Sequence, residues 1–147
     1  FVIVDNLRAV TQSNTSNDLS AGTPFTVQAA ATLADLVPQS ISVTPNPATS
    51  GGTVTVNYTV ANTGGTAAPA SQTKIQIKNS SGVVFSQPTF ATPAIAANSS
   101  INGSRNISLV GAVVGTYTAY VIVDNTSVVP QTNTTNDLSA GTSFAVR

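Results

Sequence analysis

Apolar and polar residues alternate strictly along several short stretches of the chain. In Thr53-Val54-Thr55-Val56-Asn57-Tyr58-Thr59-Val60, the residues Val54, Val56, Tyr58 and Val60 fall on one face. A period of two is the pattern of a strand buried on one side. Lys74-Ile75-Gln76-Ile77-Lys78 alternates likewise, with Ile75 and Ile77 inward. Asn79-Ser80-Ser81-Gly82 predicts a turn, after which Val83-Val84-Phe85 returns as a strand. Ile101, Ile107 and Leu109 share a face against Asn102, Ser104, Asn106 and Ser108. Arg105 falls on the apolar side, which predicts an irregular strand near its start. Thr116 to Asp124 is the longest apolar strand, with Tyr117, Ala119, Val121 and Val123 inward. A last strand, Ser143 to Arg147, points Phe144 and Val146 inward. A first one spans about Asp35 to Thr44, and Pro38 marks it as an edge strand or a broken one.

No segment carries a 3.6-residue period. The nearest, Ala29-Ala30-Ala31-Thr32-Leu33, reads as a linker. About seven short strands with Gly, Pro and Asn turns predict an all-β, immunoglobulin-like antiparallel sandwich. Tyr117, following Gly115 and Thr116, stands where such sandwiches place a tyrosine corner; plain core packing is the competing expectation.

The chain also repeats itself. Residues 1–28 and 120–147 align at an offset of 119 without a gap, identical at 18 of 28 positions. That is tandem duplication. The predicted organisation is a C-terminal strand pair of a preceding repeat over 1–28, a linker over 29–34 and a complete sandwich over 35–147. Phe1 in place of Met marks the chain as a processed product or an excerpt of a longer one.

Composition narrows the chemistry. Of 147 residues 7% are charged, with net charge zero and no His, Cys, Met or Trp. Imidazole and thiol catalysis, disulfides, imidazole metal ligands and thiolate zinc sites are thereby excluded. Five cations are too few for a nucleic-acid footprint, and no apolar run approaches the ~20 residues of a membrane span. No cofactor is expected. The polarity comes instead from 17 Ser, 22 Thr and 13 Asn, a surface suited to an extracellular strand protein.

Three groups of residues carry a resemblance. They are Asp35-Leu36 with Ile41-Ser42-Val43-Thr44-Pro45, then Gly52-Thr53-Val54-Thr55-Val56, then Val60-Ala61-Asn62-Thr63-Gly64. Together they resemble the CARDB family, immunoglobulin-like modules of bacterial and archaeal surface proteins named for cell adhesion. Gly115-Thr116-Tyr117, Val123-Asp124-Asn125, Val128-Val129 and Asn133-Thr134-Thr135-Asn136 continue the likeness over residues 35–147. Gln131-Thr132 departs from the Glu-Ser pair frequent in the family. That departure weakens the carry-over of an acidic cation site.

Candidate chemistry is sparse. Asp124 with Asn125, and Asn136 with Asp137, are the calcium candidates at one end of the sandwich; Asx turns and strand-end capping are the structural alternative. Lys74 and Lys78 alternate outward, away from any buried acid that an isopeptide bond with Asn needs. Asp124 and Asp137 also form the one carboxylate pair conceivable for catalysis, with no basic residue to complete it, and the chain is expected not to be an enzyme. Asn-x-Ser/Thr occurs at Asn14, Asn57, Asn79, Asn98, Asn102, Asn106, Asn125 and Asn133. These are candidate N-glycosylation sites, and occupied sites on a prokaryotic surface protein would point to an archaeon. Composition bias is the competing explanation.

The first segment predicts strands at about 1–5 and 22–28 that leave Val2, Ile3, Val4, Phe25 and Val27 without cover. An isolated strand pair is marginal in water, so a preceding unit or a neighbouring subunit is expected to cover them. Tyr120 and Ile122, with their counterparts Phe1 and Ile3, face outward by alternation and are candidate contacts between modules. Two functions follow. The first is an extracellular structural or adhesive repeat protein, part of a cell-surface filament or stalk assembled head to tail through strand contacts. The second is a spacer or carbohydrate-binding module of a secreted enzyme. Its partners are expected to be copies of itself or adjacent repeats, with surface glycans as a further option.

Overall fold

The computed structural model describes residues 1–28 and 32–147, which form two compact units, Phe1–Ala31 and Thr32–Arg147. The second is a β-sandwich of eight strands: β1 (Leu36–Thr44), β2 (Thr53–Asn62), β3 (Ser71–Asn79), β4 (Val84–Ser86), β5 (Thr89–Thr92), β6 (Ser99–Ser108), β7 (Gly115–Ile122) and β8 (Thr142–Val146). One sheet runs β1-β2-β6; the other runs β4-β3-β7-β8, with β5 also on β3. All of these named strand pairs are antiparallel.

Alternation dictates the core. Val54, Val56, Tyr58 and Val60 of β2 meet Ile75 and Ile77 of β3 and Tyr117, Ala119 and Val121 of β7, all buried. The Tyr117 ring packs edge-on to Phe85 and stacks with Phe144, at centroid distances of 5.6 and 5.9 Å. Its hydroxyl donates to the Val113 carbonyl and accepts the Val113 N–H, both at 3.1 Å. That is a tyrosine corner, so this position combines core packing with a backbone anchor.

β1 is an edge strand, as Pro38 implies, and its register shifts between Gln39 and Ser42, where Ser40 has φ 53°. Arg105 does not disturb β6. The strand pairs with β2 in unbroken register from Ser99 to Ser108. The Arg105 side chain instead lies half-buried, with its guanidinium 4.9 Å from the Phe90 ring centroid. An apolar-side position accommodates Arg because the stem covers apolar surface and the cation meets a ring face. Beside it, a Cβ on Gly103 would stand 2.3 Å from the Tyr58 ring. Only glycine lets that ring lie across β6.

The sandwich begins before Asp35. The Thr66 hydroxyl donates to the Thr32 carbonyl, and Ala34 is 2% exposed and bridges Gln131 in parallel. Thr32 to Ala34 of the expected 29–34 linker thus belongs to the body of the domain, while residues 29–31 lie outside the described residues. The chain enters the sandwich beside Gly64 and Thr66. It leaves at the opposite end, where Ser50 N–H donates to the Arg147 carbonyl and Ala48 pairs with Val146.

In the first unit the two expected strands at 1–5 and 22–28 are not formed. A single bridge, Ile3 with Leu19, joins residues 2–4 to 18–20, and 21–28 pair with nothing among the described residues. Strand formation depends on a neighbour to pair with, and the counterpart of 23–27, β8, has β7.

Candidate interaction site

The two copies of the repeated segment build the same loop, one on a sandwich and one without. In the complete domain Asp124, 3% exposed and at φ 41°, folds the chain around its carboxylate. Oδ1 accepts the Val128 N–H at 3.1 Å and Oδ2 the Val129 N–H at 2.9 Å. Asp5, at φ 46°, accepts Ala9 N–H at 2.7 Å and Val10 N–H at 3.2 Å. Ser139 exchanges bonds with Val121 as Ser20 does with Val2. Asn133 accepts the Thr135 N–H and hydroxyl, as Asn14 accepts those of Ser16. The Asp carboxylate supplies acceptors that a tight loop otherwise lacks. At Asp5, desolvation pushes the carboxyl pKa up, but the Ala9, Val10 and Gln12 hydrogen bonds outweigh it and hold it below the ordinary range.

What the copies do not share is cover. Val121, Val123, Phe144 and Val146 are 0%, 1%, 2% and 1% exposed. Their counterparts Val2, Val4, Phe25 and Val27 are 66%, 55%, 85% and 85% exposed, with Phe1 at 87% and Ile3 at 55%. Tyr120 and Ile122 are half-buried on the outer face of their sheet. The Lys78 ammonium stands 5.3 Å from the Tyr120 ring centroid, and the ring lies against Gly141 as Phe1 lies against Gly22.

At the end where the chain enters, Asp35, Asp124 and Asp137 are near neighbours. Burial raises the Asp137 pKa; Gln131 opposes this by donating to both carboxylate oxygens, and the Asp124 and Asp35 charges add to the rise. Among the described residues no three His, Cys, Asp or Glu side chains are placed to hold a metal ion. Asp124 and Asp137, the calcium candidates, accept hydrogen bonds from the chain itself.

The outer face of the β1-β2-β6 sheet is uncharged. Thr55 donates to Asn106 at 2.9 Å, Ser104 to Asn57 at 2.8 Å and Thr59 to Asn102 at 2.9 Å, a ladder of hydroxyls across the strands. Asn57, Asn102 and Asn106 therefore share one face. Asn79 is used in the β3–β4 turn, where it accepts Ser81 and Val83 N–H. Asn98 is exposed at φ 53°, and the Asn125 N–H donates to the Gln72 carbonyl. Lys74 and Lys78 are half-buried.

Alternation said nothing of Asn62, 1% exposed, which joins the ends of several segments. Its Oδ1 accepts Asp35 and Gly64 N–H, and its Nδ2 donates to Thr66, Ile95 and Ala96 carbonyls. Asn at the end of a strand, followed by Thr-Gly, is the sequence signal.

Two antiparallel sheets around one core, with a tyrosine corner, define an immunoglobulin-like β-sandwich module. The chain belongs to the CARDB family, whose profile matches residues 33–140. CARDB domains are associated with cell-surface proteins. No curated protein matches the chain. Among solved structures, the CARDB domain of a Pyrococcus furiosus protein in complex with di-metal ions is similar, with TM-score 0.59 and 19% identity over 78% of this chain and 90% of that one. A domain of a candidate cell-surface protein of Methanosarcina acetivorans aligns with TM-score 0.56 and 24% identity, covering 78% and 93%. β-Glucosidase 3B of Thermotoga neapolitana contains a similar fold: TM-score 0.53 and 16% identity, over 76% of this chain but 16% of the enzyme.

Proposed function

We propose that the chain is a segment of an extracellular structural or adhesive protein, a stalk or filament of CARDB-like repeats joined head to tail. The observation that supports this most is the uncovered copy. Val2, Val4, Phe25 and Val27 are exposed at positions where the complete repeat buries the same residues. The sandwich already holds its own copy of this segment at 120–147, so 1–28 completes a different, preceding repeat through main-chain pairing and alternate side chains. Chain entry and exit at opposite ends suit a linear series. Asn57, Asn102 and Asn106, together on a flat neutral face, are the N-glycan acceptors of this reading, with Asn14, Asn79, Asn98, Asn125 and Asn133 as further candidates.

The Pyrococcus neighbour is a complex with di-metal ions; among the described residues of this chain no three His, Cys, Asp or Glu side chains are grouped to hold a metal ion. The acidic end offers carboxylates already engaged by N–H and O–H groups. The enzyme-spacer reading draws on the fold shared with the β-glucosidase, but the sandwich's aromatic rings are all buried or half-buried, which leaves no platform for stacking sugars.

Electron microscopy of native material, with helical averaging, tests the reading. The expected result is continuous density in which 1–28 complete an adjacent sandwich. Dispersed particles with that segment free of any neighbour overturn it. Intact mass equal to that of the bare sequence overturns the glycan assignment.

A further inference from the structure

The Gln131 side chain touches both halves of the acidic end. Its Oε1 accepts the Leu36 N–H at 2.6 Å, and its Nε2 donates to Asp137 Oδ1 and Oδ2 at 3.1 and 3.2 Å. The backbone around it pairs with the first described segment of the sandwich, since Thr132 N–H donates to the Ala34 carbonyl at 2.9 Å. Leu36 is 1% exposed, so its N–H at the start of β1 needs an acceptor from the protein. Asp137 needs a donor. A primary amide supplies both at once.

The other carboxylates are equally occupied. Asp35 Oδ1 accepts the Asn136 amide at 3.1 Å and Oδ2 the Thr63 hydroxyl at 2.8 Å. Asp124 takes Val128 and Val129 N–H. Every carboxylate oxygen of Asp35, Asp124 and Asp137 thus faces a hydrogen-bond donor of the chain. A hard cation needs several such oxygens free. The repeated segment shows the same engagement: Gln12, the counterpart of Gln131, donates to Asp5 at 3.2 Å and to Asp18 at 3.4 Å.

We propose that Gln131 is a positioning residue that closes the acidic end of the sandwich with its amide, holding Leu36 and Asp137 together so that this end needs no divalent cation. A glutamate there still accepts from Leu36 but sets a second negative charge against Asp137. The pair is therefore rescued by exchanging roles, with the acid at 131 and the amide at 137.

The test is thermal unfolding of the full chain in EDTA and in millimolar calcium chloride, for the wild type, Q131E and Q131E/D137N. The wild-type midpoint is expected to be the same in both buffers. Q131E in EDTA is expected to melt about 6–12 °C lower, the loss of the amide's hydrogen bond to a charged group. Adding D137N is expected to restore at least half of that shift. In Q131M, which keeps the bulk and removes the bonds, the Leu36 amide is expected to exchange with solvent at least tenfold faster while the Ile75 amide is unchanged. A wild-type midpoint that moves with calcium or EDTA, a double variant that melts no higher than Q131E, or an unchanged Leu36 amide in Q131M would each overturn the proposal.

Discussion

Phe25 and Phe144 are the same residue of the same repeated segment, and truncating each to alanine separates what the segment needs from what the sandwich needs. Phe144 is 2% exposed and stacks with Tyr117; Phe25 is 85% exposed. A buried aromatic side chain removes about 150–250 Å² from water, worth about 4–6 kcal/mol at ~25 cal/mol per Å². The methyl group that remains and a compact denatured chain reduce this, so Phe144→Ala is expected to cost about 3–4 kcal/mol. In a domain of this size that lowers the melting temperature by roughly 12–18 °C. Phe25→Ala is expected to leave the unfolding of the sandwich unchanged. Urea denaturation followed by far-UV circular dichroism reads both, with tyrosine fluorescence as the second probe because the chain has no Trp. A loss above ~1 kcal/mol for Phe25→Ala, larger than the ±0.5 kcal/mol usual for exposed sites, refutes the assignment of 1–28 to a preceding repeat. A loss below ~1.5 kcal/mol for Phe144→Ala refutes the core geometry.

Tyr117→Phe keeps the ring contacts and removes the hydroxyl, freeing the N–H and carbonyl of Val113, itself 71% exposed and open to water. The expected cost is about 1–2 kcal/mol by denaturant titration. Gly103→Ala drives a Cβ to 2.3 Å from the Tyr58 ring and is expected to cost about 1–3 kcal/mol, read as a lower thermal midpoint. Because the native Asp137 carboxyl titrates above its unfolded value, its contribution to stability is complete below pH ~3.9 and is lost as pH rises through the native pKa. Asp137→Asn is expected to flatten the stability profile over that window; an unchanged slope contradicts the burial and repulsion assigned to this group.

The sequence announced what depends on periodicity. Val54 to Val60, Ile75 and Ile77, and Tyr117 to Val123 alternate because each strand has one face in the core, and all of the inward positions are buried. The turn at Asn79 to Gly82 was legible from its residues. β5, Thr89–Thr92, was not, because four residues with Phe90 half-buried carry too little alternation. Arg105 misled for a physical reason: side-chain chemistry was read as backbone disorder, when a long aliphatic stem satisfies the inner face. The strands expected at 1–5 and 22–28 have the right residues, but among the described residues the first finds a single bridge, Ile3 with Leu19, and the second finds no partner, which a one-dimensional pattern does not reveal. The acidic end was legible as a set of residues but not as a geometry. Whether Asp124 collects backbone N–H groups or a cation depends on loop closure, and the glutamine that decides the matter for Asp137 sits six residues away.

Because the chain enters one end of the sandwich and leaves at the other, a pull on its two termini runs along the strands. The hydrogen bonds between β1 and β2 lie across that direction, so force strains them together in shear rather than peeling them one by one. Folded, the domain spans about 33 Å along a ten-residue strand such as β2. Unravelled, residues 32–147 reach roughly 380–420 Å. In the series of repeats proposed above, one domain that yields would release about ten times its own length of slack and relieve the others of tension while it refolds.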